Sequence, residues 1–76
     1  MKLIPLKPRE VIYVLVRLGF EEKRQTGSHK IFYHREKSVI IPVPMHPREV
    51  KKGLLRSIIS EAKITPQEFY AILRNK

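Results

Sequence analysis

The chain has 76 residues and no cysteine, and together these constrain the fold more than any motif in it. A domain of this size buries only about 60% of the surface its unfolded chain exposes. With no disulfide or zinc–thiolate site to hold it, it must rely on a thin layer of helix on sheet. That layer leaves no room for a deep cavity around a small-molecule cofactor. Chemistry is therefore expected on an open surface, with a large substrate and no cofactor. Thiolate nucleophiles are excluded along with the cysteines. The longest apolar run, Val11 to Val16, falls far short of the roughly 20 residues that span a bilayer. The stretch MKLIPLKPRE has neither the apolar core nor the small-residue cleavage site of a secretory leader. These features predict a single domain over residues 1–76, located in the cytoplasm.

Sixteen Lys and Arg stand against seven acidic residues, a net charge of +9. The isoelectric point of about 10.3 lies above the value near 9 that marks nucleic-acid-binding candidates. So much like charge repels itself, and a polyanion or an acidic protein partner would relieve the repulsion.

Pro8 suits the first position of a helix and Gly19 the left-handed residue that closes one. Between them Val11, Val14, Leu15 and Leu18 fall on one stripe, with Ile12 and Val16 beside it. Phe20 to Thr26 is mostly charged and reads as an edge strand. Gly27-Ser28 turns the chain, and His29 to His34 is a second strand. Arg35-Glu36-Lys37 connects it to a third, Ser38 to Val43, which Pro42 and Pro44 are expected to end. Met45 to Lys52 reads as a loop. Leu55, Ile58, Ile59 and Ala62 predict a helix over Leu54 to Ala62. Thr65-Pro66-Gln67-Glu68 is a capping box opening a short helix through Leu73, with Phe69, Ile72 and Leu73 inward. The expected class is α+β. Two main helices cover one face of a three-stranded antiparallel sheet, a short C-terminal helix follows, and the other sheet face stays open.

Along the second strand, alternation puts His29, Ile31 and Tyr33 on one face and Lys30, Phe32 and His34 on the other. Parity alone does not say which face is core; we take Phe32 as inward, which leaves His29 and Tyr33 on the open face. A histidine there has a use, because an ordinary imidazole exchanges protons near neutral pH. RNA carries its own nucleophile, the 2′-hydroxyl. Cleaving it needs a base, an acid and cations around the phosphate, and no metal. The acidic residues are seven scattered glutamates with no aspartate, unlike the clustered carboxylates of two-metal nucleases. His34, next to a connection, reads as a surface residue. His46, between two prolines, either fixes its loop or faces substrate. Lys51 and Lys52 at a helix start, with Arg48, Arg56 and Lys30, outline a phosphate track. Each is ordinarily a solvated charge; the case rests on the set. Ser28 adjoins it in the turn, and Tyr33 either packs or stacks on a base.

Several pieces in order then resemble the HicA family of toxins: Gly19-Phe20, Gly27-Ser28-His29, Pro44-Met45-His46, Lys52-Gly53-Leu54-Leu55-Arg56-Ser57-Ile58-Ile59, and Ile64-Thr65 with Glu68-Phe69. The resemblance runs from about Pro8 to Leu73. It implies a double-stranded-RNA-binding-domain-like fold, an mRNA-cleaving endoribonuclease, His29 as the catalytic residue, and a HicB antitoxin as partner. The chain departs from the family at Gly53-Leu54-Leu55, where members often carry a threonine. It departs again at Ala62-Lys63, where members often have glycine second. Two other readings stand beside the enzyme. One is a non-catalytic RNA-binding module on the same basic face. The other is a helix-turn-helix DNA reader over Leu54 to Leu73, whose second helix has no arginine before Arg74.

Overall fold

Pro8 opens the first helix and Gly19 closes it, as the punctuation predicts. The computed structural model describes residues 2–75. Helix α1 spans Pro8–Arg17. The Lys7 N–H ahead of it donates to Glu10 Oε1 at 2.8 Å. Gly19 takes φ 101°. Its N–H donates to the Val16 carbonyl and the Phe20 N–H to the Leu15 carbonyl, both at 3.0 Å, the bond pair of a Schellman end. Val11, Val14 and Leu15 are buried, Ile12 flanks the core, and Val16 is exposed.

Strands β1 (Glu21–Thr26), β2 (His29–His34) and β3 (Val39–Pro44) form one antiparallel sheet in the order β1-β2-β3. β1 is an edge strand exposed along its whole length, with a bulge at Lys23. Phe32, Ile41 and Val43 are fully buried, so the Phe32 side of the sheet is the core side. Helices α2 (Lys52–Glu61) and α3 (Pro66–Arg74) complete the layer. α1 and α2 lie against β3, and α3 packs against both helices. The observed order is α-β-β-β-α-α with the opposite sheet face uncovered, the predicted layout. Among the described residues no helix is long and apolar enough to cross a membrane.

Three expectations need correction. β3, Val39–Pro44, runs through Pro42 and ends at Pro44, one residue beyond the predicted Val43. The Met45 N–H donates to the Ser28 carbonyl, so residues of Met45's parity face β2. The prolines have the other parity, and their missing N–H groups fall on the outer side of an edge strand, where nothing pairs. His34 is not a surface residue: it is 8% exposed and stacks edge-on against Phe20. Its Nδ1 accepts from the Lys37 N–H at 3.2 Å. Nε2 therefore carries the proton and donates to the Leu18 carbonyl at 3.1 Å. A Cβ on Gly19 would come within 3.0 Å of that Nε2, a second reason for glycine there. Finally, α2 starts two residues before the predicted Leu54. Its first turn is exposed and leaves no apolar stripe to read.

The capping box at Thr65 forms in both directions. The Glu68 N–H donates to Thr65 Oγ1 at 3.1 Å and the Thr65 N–H to Glu68 Oε1 at 2.8 Å. The bond from the Thr65 backbone, then that from its hydroxyl, holds the Glu68 carboxyl below its ordinary 4.5; Lys37 adds a smaller pull. A lowered folded-state pKa stabilises above the unfolded value, and the stabilisation is lost as pH falls through the folded one. The thermal midpoint of wild type should therefore exceed that of Glu68→Gln at neutral pH. The difference should close in acid below about 4.5, read by circular dichroism.

At the end of α2 the chain turns through Lys63 at φ 63°, a left-handed conformation that a residue with a Cβ tolerates less well than glycine. The Lys37 ammonium donates to the adjacent Ala62 carbonyl at 3.0 Å. Left-handed backbone costs a residue with a Cβ about 1–2 kcal/mol. Lys63→Gly should therefore raise stability by about 1 kcal/mol, seen as a higher denaturant midpoint at unchanged slope.

Phe69 is buried, and Ile72 and Leu73 pack beside the core. Tyr70 is buried too. Its hydroxyl donates to the Ile4 carbonyl at 2.6 Å and accepts from the Ile4 N–H at 2.8 Å. Leu3 and Leu6 are likewise core residues, and Leu6 pairs with Val50 in an antiparallel bridge.

Candidate functional site

The site begins at a turn. Gly27 takes φ 57°, and the Gln25 side-chain amide donates to its carbonyl at 3.2 Å. The Met45 N–H donates to the Ser28 carbonyl at 2.6 Å. His29 follows as the first residue of β2, opposite Thr26 on β1 and Pro44 on β3. It lies between its two neighbouring strands, anchored through Ser28 to Met45 just beyond β3, while its side chain is exposed on the uncovered sheet face. Among the described residues nothing hydrogen-bonds to its ring. An imidazole so placed is accessible to an incoming group.

Beyond His29 the uncovered face is apolar along two strands. Pro44 lies opposite His29, Pro42 opposite Ile31, and Ile40 opposite Tyr33. Ile40 is 60% exposed. Lys23 Nζ sits 5.8 Å from the centre of the Tyr33 ring and 3.4 Å from Glu21. A flat strip with an aromatic ring and a cation is the kind of surface on which unpaired bases stack. Sequence reading found Tyr33 but missed Ile40 and Pro42, because it took Pro42 for a strand terminator.

The expected cationic track divides. Ser28 and His46 line one groove, of about 210 Å³, with Gln25, Gly27 and Met45. Met45 also lines a larger groove, of about 350 Å³, that contains Arg48. Lys51 and Lys52 are exposed at the start of α2. Arg56 lines a separate groove between α2 and the start of α3, with Ile59 and Thr65. Lys30 shares the parity of Phe32 and lies 3.7 Å from Glu22, off the face that carries His29. Lys7 and Arg9 join Arg48. They were absent from the sequence-derived set, since the Leu6–Val50 bridge that joins those segments has no sequence signature.

A family model for the HicA toxin of bacterial toxin-antitoxin systems matches residues 8–64. The chain belongs to the HicA toxin family. It is accordingly a toxin of a toxin–antitoxin system, and the family implies an antitoxin partner. No curated protein matches the chain. The HicA match begins with α1 and ends at Ile64, just before the α3 cap. It therefore takes in His29, Ser28, His46 and the basic residues of α2, but neither Lys7 nor Tyr70. Among the described residues of this HicA chain, no three histidine or acidic side chains gather as metal ligands would.

Proposed function

We propose that this HicA toxin is an endoribonuclease that cleaves mRNA without a metal, with His29 as its proton-transferring group. One observation carries the reading: the His29 side chain stands in solvent on the uncovered sheet face, at a turn whose Ser28 lines a groove with Met45, which also lines the groove of Arg48. His29 takes the proton of a ribose 2′-hydroxyl. The 2′-oxygen attacks the adjacent phosphorus, and the bond to the 5′-oxygen breaks as that oxygen gains a proton. Arg48, Lys51 and Lys52 supply positive charge for the phosphate, with Ser28 and His46 against it. Tyr33 offers a ring to a base. Arg56 and Lys30, set apart from this face, contribute to the general field that attracts RNA.

The natural antagonist in this reading is a HicB-like antitoxin that covers the same face. The exposed Ile40 beside Tyr33 gives such a partner an apolar surface to seal. An mRNA substrate places the activity in the cytoplasm. Incubating the purified protein with RNA in EDTA tests the proposal. Fragments should accumulate; RNA that is bound but stays intact would make the protein a non-catalytic binding module instead.

A further inference from the structure

We propose that the groove between the start of α1 and the β3–α2 connection is a second nucleotide subsite, holding RNA that flanks the cleaved bond. This rests on the ribonuclease reading. Lys7, Pro8 and Arg9 form one wall and Met45, Pro47 and Arg48 the other. The groove measures about 350 Å³, within the roughly 300–1,000 Å³ of small-ligand sites. Two prolines and a methionine line it together with three cations. That combination suits a nucleotide, whose sugar and base are largely apolar on their faces and whose phosphate is an anion.

Three observations favour a binding role over three solvated charges. First, no acidic residue lines the groove, and none of the three cations stands in an ion pair among the described residues. Two acids adjoin these cations in sequence: Glu10 is engaged with the Lys7 N–H, and Glu49, next to Arg48, does not line the groove. Second, the walls are fixed. Leu6 and Val50 exchange backbone hydrogen bonds of 3.2 and 2.6 Å immediately beside them, and both residues are buried. The two segments that carry the cations, some forty positions apart, are thus held together. Third, Met45 belongs both to this groove and to the one lined by Ser28 and His46. A strand lying over the turn at His29 continues into the cationic groove without leaving the surface. The cations line the groove through their side chains; at the helix end Pro8 has no N–H and Glu10 takes that of Lys7.

The test measures affinity without cleavage, using 2′-O-methyl RNA, which lacks the nucleophile. An RNA of about 12 nucleotides covers both grooves and one of about 3 only the first. Lys7→Gln/Arg9→Gln is compared with wild type across salt concentrations. Both positions are exposed, and circular dichroism checks the fold. Each single-strand phosphate contact contributes about 0.7 to the salt slope, so the double variant should lose about 1.4. Its affinity for the longer RNA should fall at least about tenfold, with the short RNA unaffected. Equal affinity of both proteins for the longer RNA would overturn the subsite while leaving the ribonuclease reading standing. Unchanged RNA affinity with weakened binding of a polyglutamate peptide would assign the groove to an acidic protein segment and also overturn it. Failure of wild type to bind either RNA would remove the ribonuclease reading and the subsite together.

Discussion

His29→Ala is expected to lower RNA cleavage by about 10²–10⁴-fold, the usual contribution of a positioned acid–base group. The fold and the affinity for RNA should persist. The reason lies in how the residue is mounted. Its side chain is exposed and among the described residues makes no hydrogen bond, so removing the ring opens no cavity and orphans no partner. The turn that presents it is held by backbone bonds, from Met45 to Ser28 above all, and these survive the substitution. The expected pattern is a loss in kcat with KM little changed, together with loss of growth arrest when the variant is induced in cells. Growth arrest at wild-type strength would count against the assignment. A collapse of the thermal transition would instead show that His29 serves the fold, which its exposure argues against.

Phe32→Ala is expected to have the largest effect on stability. Phe32 is fully buried on the same strand, three residues from His29, and takes its place beside Ile41 and Val43 under the helices. Truncating a buried phenylalanine costs about 3–5 kcal/mol, including the cavity left behind. Small domains hold about 5–15 kcal/mol in all, and one of this size sits toward the lower end. Each kcal/mol moves the midpoint by about 4–8 °C at this length. A fall of at least about 12 °C is therefore expected, and less than about 4 °C would mean the site repacks or is not core. The two variants separate the faces of β2: one side carries the proposed chemistry, the other the fold.

Much of this was legible in the chain because local signals and tertiary outcome agree. Pro8 and Gly19 bound α1 as their backbone preferences require. The alternation along β2 left one binary choice, and burial of Phe32 resolves it. That same parity put His34 on the core side. Reading it as a surface residue weighed its place next to a connection above the face it shares with Phe32. A buried imidazole is acceptable because Leu18 and Lys37 satisfy both its nitrogens, and neither contact has a sequence signature. Pro42 of β3 misled for a related reason, whereas the strand does end at Pro44. Proline forbids pairing on one side only, and whether that side is used depends on which strand lies at the sheet edge.

The candidate site was legible where it is local and lost where it is not. Gly27, Ser28 and His29 are consecutive, and the turn they form is observed. Lys7 and Arg9 escaped notice because nothing in a sequence says that Leu6 will pair with Val50. Arg56 stands with Lys52 in the expected phosphate track, yet it lines the groove toward α3. Tyr70 was passed over because its value is a pair of hydrogen bonds to Ile4, 66 residues away.

The chemistry of the cut ends tests the central claim most directly. RNA digested by the purified toxin in EDTA should carry 2′,3′-cyclic phosphate on one fragment and 5′-hydroxyl on the next, because the ribose itself supplies the attacking oxygen. Fragments ending in 3′-hydroxyl and 5′-phosphate would mean that water attacked instead, and the role given to His29 would be wrong.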